Sequence, residues 1–410
     1  MTKTVLYIAE ECLQHKGNNP RFECPERLES AISHLSSSGL MQKCEVRKGH
    51  TCSDEDILMC HTRAHLDKIK HYQFQDSSAP FEFINQQNKK DVSPQLASDS
   101  TYICRQSLTA ARWAIGGCIE GVDMILNENK GMDKQNAKNG FVLCRPPGHH
   151  SQSTTVQGFC LFNNIAIAAV HALNRLRSIY PNEKEKQRVL IVDFDVHHGN
   201  GTEEIFLAQP DILYISSHLY MNGKFYPYSG SASTVGTGAG EGRNVNIPLP
   251  CVNCGDAEFI QIFQEIIIPI AREYQPSVVL VSAGFDIMEG DSVGRMLVTP
   301  RGLHILTRLL IDGIVSAQGR VLLVLEGGYS HEVLGEGVCA CVQALLGEEF
   351  RNYDTLTQEK EGIYNDQKGG GEDELITRIN PNVQKRVQAQ LSLVINEVKA
   401  IQSHYWGCFQ

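Results

Sequence analysis

Short apolar runs rich in β-branched residues recur along this chain, and between them lie segments whose apolar residues fall three and four apart. The runs are Val5–Ala9, Phe141–Cys144, Val189–Phe194, Ile212–Ser216, Asn244–Leu249, Val278–Ala283 and Val321–Glu326. The helix-patterned segments are Ala97–Leu126, Asn163–Ile179, Ala257–Tyr274, Thr299–Ser316 and His331–Leu346. A strand that is apolar at nearly every position has no polar face to turn to water, so both of its faces must be covered. Parallel strands also need long crossovers, which the helical segments provide. The alternation predicts an α/β fold with a mostly parallel sheet covered by helices on both faces.

The 410 residues, 42% of them hydrophobic, suffice for one large core. No linker-like stretch is long enough to divide the chain, so residues 1–410 read as a single domain. Polar interruptions at Gln73–Gln95, Asn127–Asn139, Pro181–Arg188 and Tyr353–Asp373 read as surface loops, and residues 381–405 as an amphipathic helix docking on the body. Fourteen scattered cysteines indicate free thiols in a reducing compartment. The opening MTKTVLYIAEECLQHKG carries too short an apolar run for a secretion signal and reads as a first strand. No apolar run approaches the roughly 20 residues of a membrane span. An intracellular protein of cytoplasm or nucleus, without a membrane partner, is therefore expected. A net charge of −10 argues against direct nucleic-acid binding.

In open parallel sheets, ligand sites form beyond the carboxyl ends of the strands. Here the strand ends run into RPPGHH (Arg145–His150), DVHHGNG (Asp195–Gly201), GFD (Gly284–Asp286) and EGGY (Glu326–Tyr329). Each combines glycine, which permits close backbone approach, with a titratable side chain. In LIVDFDVHHGNG, Asp193, Asp195 and His197 occupy alternate positions, which in an extended strand share a face. Buried like charges are unfavourable unless a cation neutralises them. Asp195, His197 and Asp286 offer a nitrogen and two carboxylates. Three such ligands with an open position suit a catalytic zinc, although iron or cobalt would accept them too. His149 or His150 suits a general base and acid, and Asp193 a carboxylate that fixes an imidazole. Tyr329 offers a phenol for an oxyanion. Together they describe metal-assisted amide hydrolysis. His198 points to the opposite side of an extended chain and is left out. GTGAGEG (Gly236–Gly242), CVNC (Cys251–Cys254) and the loose group Cys44, His50, Cys52, Cys60 and His61 read as structural.

The motifs PERL (Pro25–Leu28), RPPGHH, GFCLFNN (Gly158–Asn164), VDFDVHHGNGT (Val192–Thr202), SAGFD (Ser282–Asp286) and LEGGY (Leu325–Tyr329) occur in this order. With them the sequence resembles the zinc-dependent histone deacetylase family, and its class II branch more than class I; the resemblance implies the arginase-like fold, a three-layer sandwich with a mostly parallel central sheet of about eight strands. The resemblance implies zinc on Asp195, His197 and Asp286, with His150 as general base and acid and Asn200 as its partner. It implies His149 as electrostatic partner bonded to Asp193, and Tyr329 polarising the acyl carbonyl. The acyl-lysine tunnel would be walled by Phe159 and by Tyr226, which stands where the family usually has a second Phe. The Gly158 carbonyl would accept the lysine side-chain N–H. A structural potassium would involve Asp193, Asp195, His197, Ser216 and Ser217. Loop Gln73–Gln95 and the stretch His15–Leu28, in the part of the family that shapes the rim, depart from typical lengths.

The substrate implied is an acetylated lysine in a protein, a histone tail or another. Two alternatives stand beside it. One is a small-molecule amidohydrolase acting on acetylpolyamines; there the resemblance would place a Glu seven residues after the last zinc ligand, where this chain has Val293. The other is an acyl-lysine reader with weak turnover, which the presence of Tyr329 disfavours.

Overall fold

The computed structural model describes residues 4–17, 22–73, 83–84, 101–127, 137–352 and 381–410. Among the described residues ten strands are formed: β1 Thr4–Ile8, β2 Glu45–Arg47, β3 Phe83–Ile84, β4 Thr101–Tyr102, β5 Asn139–Leu143, β6 Val189–Asp193, β7 Ile212–Leu219, β8 Asn244–Leu249, β9 Val278–Ala283 and β10 Val321–Leu325. Eight of them make one sheet in the order β2-β1-β5-β10-β9-β6-β7-β8. All of its pairings are parallel. The strands β5, β6, β7, β8, β9 and β10 are buried at every residue, as near-continuous apolar sequence requires when helices cover both faces. β3 and β4 form a separate antiparallel pair.

The connecting helices follow the periodic segments, with informative differences at their ends. The first long one starts at Ser107 rather than near Ala97, because Thr101–Tyr102 is already extended. The segment from Asp256 to Tyr274 is helical throughout but loosens into a π turn at Phe263–Ile267. Helix Pro300–Gly313 is capped by the Thr299 side chain, which accepts from Gly302 N. Edge strand β2, three residues of mixed polarity, carries no apolar run and escapes sequence reading. The expected loops at Gln73–Gln95, Asn127–Asn139 and Tyr353–Asp373 lie largely outside the described residues, as does part of His15–Leu28.

One apolar cluster extends from Val5 to Trp406. The terminal helix Pro381–Gln402 buries Val387, Leu391, Val394, Ile395 and Val398. At about 1.5–3 kcal/mol for each large aliphatic side chain removed from water, that stripe is enough to seat the helix. Trp406 follows, with the Arg243 guanidinium 5.1 Å above its ring. Among the described residues, no helix is long and apolar enough to cross a membrane.

The strand order matters for the site. β5, β10, β9 and β6 are consecutive neighbours and parallel. The chain leaves them at Leu143, Leu325, Ala283 and Asp193 on one edge of the sheet. The loops carrying RPPGHH, EGGY, GFD and DVHHGNG therefore emerge side by side.

Candidate active site

β6 ends at Asp193, so Asp195 and His197 stand in the loop beyond it rather than along an extended strand face. The loop turns them inward by hydrogen bonds. Asp193 Oδ1 accepts from Asp195 N at 3.1 Å, and Asp195 Oδ1 accepts from His197 N at 2.9 Å. Asp286 Oδ1 accepts from Val196 N at 2.9 Å, tying the loop after β9 to the loop after β6. Donor atoms of Asp195, His197 and Asp286 all lie within 4.8 Å of one another. No other group of three or more metal-binding side chains within such distances occurs among the described residues.

This trio fits a divalent cation. All three residues are buried, and His197 Nδ1 sits 3.0 Å from Asp195 Oδ1 and 3.2 Å from Asp286 Oδ2. Apart from this imidazole, no donor among the described residues reaches Asp286 Oδ2. Burial and the neighbouring Asp195 charge push the Asp286 carboxyl up to about 7, the mark of negative charge short of a counter-ion. The backbone leaves the carboxylates their room. A Cβ at Gly327 would lie 2.3 Å from Asp286 Oδ2 and 2.5 Å from Asp195 Oδ2, and one at Gly284 would lie 2.2 Å from Asp195 Oδ2. A nitrogen and two carboxylates is a donor set that zinc accepts.

The two histidines meet different surroundings. His149 Nδ1 is 3.1 Å from Asp193 Oδ2, and its Nε2 is 3.8 Å from Asp195 Oδ1. Burial opposes a charge on His149, but the Asp195 and Asp193 carboxylates outweigh it and raise the imidazole to about 10. His150 Nδ1 is 2.8 Å from Asn200 Oδ1, and Asn200 Nδ2 donates to Gln157 Oε1 at 2.8 Å. Burial and the neighbouring His149 and His197 hold His150 well below the ordinary histidine value. The rings are 4.0 Å apart. The carboxylates favour charge on His149, and the surroundings of His150 favour its neutral form.

Aromatic rings surround this centre. Tyr226 stands edge-on to His150 and His197, at 5.2 and 5.9 Å between centroids. Phe225 stacks on His197 at 5.2 Å. Phe159 meets Tyr329 edge-on at 6.0 Å, and the Arg27 guanidinium lies 5.1 Å from the Tyr329 ring. Burial and the Asp286 and Asp195 charges push the Tyr329 phenol well above 10, keeping it a donor. The Gly158 carbonyl, expected to meet a lysine N–H, receives the Cys160 thiol at 3.2 Å. In the potassium set, Asp193 pairs in register with Ser216, and Ser217 Oγ has no hydrogen-bond partner among the described residues. His198 turns away, to Ser229 Oγ at 2.9 Å and Glu203 Oε2 at 3.2 Å.

Several supporting residues escape sequence reading. Asp291 accepts from Tyr329 N at 2.7 Å, Ser330 N at 3.1 Å, Val293 N at 2.8 Å and Gly294 N at 3.2 Å, so it shapes the loop that carries Tyr329. Glu326 accepts from Gly148 N at 2.7 Å and His149 N at 3.2 Å. Arg145, fully buried, pairs with Glu23 through Nε and Nη2, at 2.7 and 2.8 Å, and anchors the start of the histidine loop. The one available signal is Glu326 itself, a carboxylate placed directly after an apolar strand.

The family described as "Histone deacetylase domain" matches residues 21–345. Histone deacetylase 18 of Arabidopsis thaliana is 36% identical over 351 residues, 85% of this chain and 48% of that protein. Polyamine deacetylase HDAC10 of Homo sapiens is 38% identical over 331 residues, 80% of this chain and 45% of that protein. Histone deacetylase 6 of Caenorhabditis elegans is 33% identical over 412 residues, 99% of this chain and 38% of that protein. The chain thus spans less than half the length of these relatives. The crystal structure of the HDA15 HD domain superposes with a TM-score of 0.78 at 30% identity, covering 100% of this chain and 96% of that one.

Proposed function

The chain belongs to the histone deacetylase family, and on that premise we propose that it is a zinc-dependent protein lysine deacetylase, hydrolysing the amide of Nε-acetyl-lysine in histone or other protein substrates. The observation that carries the reading is the pair of oppositely tuned histidines beside the Asp195, His197 and Asp286 trio. Zinc would be held by that trio, where it supplies Lewis-acid polarisation and a more acidic water. A potassium ion at Asp193, Asp195, His197, Ser216 and Ser217 belongs to the same reading, and the buried Ser217 hydroxyl, without a partner among the described residues, supports it.

The chain's own groups would divide the remaining work. His150, with Nδ1 turned to Asn200, keeps Nε2 free to take a proton from the attacking water and return it to the lysine amine. His149, charged between Asp193 and Asp195, stabilises negative charge growing on the acyl oxygen. Tyr329 donates to that oxygen. Phe159 and Tyr226 confine the lysine stem and exclude water.

A second reading draws on the relative named a polyamine deacetylase. Against it stands Val293, which gives a distal ammonium no carboxylate at the position where the sequence resemblance would place one. The test is acetate release from an acetyl-lysine peptide and from an acetylated diamine by one preparation. Faster peptide turnover supports the protein substrate, and turnover of the diamine alone overturns it.

A further inference from the structure

Among the described residues, eight other than glycine have positive φ. Two of these are aromatic: Phe159 at φ 65° and Tyr228 at φ 68°. A bulky side chain in this region is strained, and such strain persists where the surroundings impose it, often at functional sites. Gln275 and Gln318 have a simple explanation, since both terminate helical turns. Phe159 packs against Tyr329 in the site already described. Tyr228 has no such account in packing: it remains 44% exposed, so its strained backbone gains little burial.

Its position supplies a reason. The Tyr228 ring stands edge-on to Tyr226 at 6.0 Å, and Tyr226 in turn meets His150 and His197. From the buried histidines outward the series ends on an exposed phenol ring. Its backbone is held in place, with Tyr228 N donating to Phe225 O at 2.8 Å. A partly exposed aromatic ring next to Tyr226 stands where the residues flanking a lysine bound in the proposed site would pass. The face of a phenol ring is electron-rich and attracts cations, and the net charge of −10 favours a basic approach from a distance.

We propose that Tyr228 is a specificity residue, its ring taking the cationic side chain of an arginine or lysine that flanks the acyl-lysine in the substrate. The assignment rests on the protein-lysine reading above. An exposed cation–ring contact corresponds to roughly a 2- to 5-fold preference in kcat/KM.

The test uses acetyl-lysine peptides that differ only in the flanking residue, Arg, Gly or Asp, assayed with the wild type, Tyr228→Phe and Tyr228→Gly. The wild type and Tyr228→Phe should favour Arg over Gly by about 2- to 5-fold, expressed in KM, with Asp last. In Tyr228→Gly the Arg-to-Gly ratio should collapse to about 1, while relief of the left-handed strain leaves Tm no lower. A ratio retained in Tyr228→Gly, or a change carried by kcat alone, overturns the proposal. If the wild type hydrolyses none of the peptides, the functional reading itself fails and takes Tyr228 with it. Peptide turnover indifferent to the flank rejects Tyr228 alone.

Discussion

At the residue scale, the site works by giving similar side chains different environments. His149 and His150 are adjacent in sequence, yet two carboxylates face one and an amide faces the other. The histidines, the three candidate ligands and Tyr329 were legible because titratable groups directly after apolar strands violate the pattern of a buried sheet. Asp291 was not legible, because it acts on backbone N–H groups 38 and 39 residues away. Arg27 was not either, since its partners, the carbonyls of Glu326 and Gly328, lie about 300 residues away. Replacing Tyr329 with Phe should lower kcat by about 10²- to 10³-fold with metal content unchanged, as for loss of an oxyanion donor. An unchanged rate would remove Tyr329 from the reaction. Asp291→Asn should lower kcat by about 10- to 100-fold, because the freed loop misplaces the phenol, with KM for the peptide little changed.

At the element scale, four neighbouring parallel strands deliver four loops to one place, and glycines let those loops close. The strand runs were plain in the sequence because burial on both faces demands unbroken apolar residues. β2 and the true start of the helix at Ser107 were hidden, the first by its edge position and the second by the short β4 pairing before it. Gly327→Ala should abolish metal binding, measured as metal per chain after dialysis, because the added methyl intrudes on Asp195 and Asp286. Retention of a full equivalent would mean that the cradle is looser than its distances imply. The anchor of the histidine loop carries its own pH dependence. Burial pushes the Glu23 carboxyl up, but Arg145, His15 and Arg27 overcome this and lower it to about 2, so its contribution is complete above 4.5 and fades as pH falls toward 2. Burial holds His15 down to about 3, so stability drops as pH falls from 6.5 toward 3, by about 1.4 kcal/mol per unit for such a group. The urea midpoint should therefore decline between pH 6.5 and 4, and His15→Gln should flatten that decline. An equally steep decline in the variant would place the acid sensitivity elsewhere.

At the scale of the whole molecule, one core from Val5 to Trp406 holds the sheet rigid beneath a site built almost wholly of loops. The parallel architecture followed from the alternation of strand and helix patterns, whereas the rim did not, because its loops have no periodic signature. Charge at this scale is also consistent with the proposed substrate, since a chain of net charge −10 attracts basic peptides. The proposed function depends on a metal held by Asp195, His197 and Asp286. Its most direct test measures zinc per chain and acetate release from an acetyl-lysine peptide on the same samples of the wild type and Asp286→Asn. About one zinc and turnover are expected in the wild type, with both lost together in the variant. Turnover by a metal-free wild type, or an Asp286→Asn variant that keeps zinc and full activity, would contradict it.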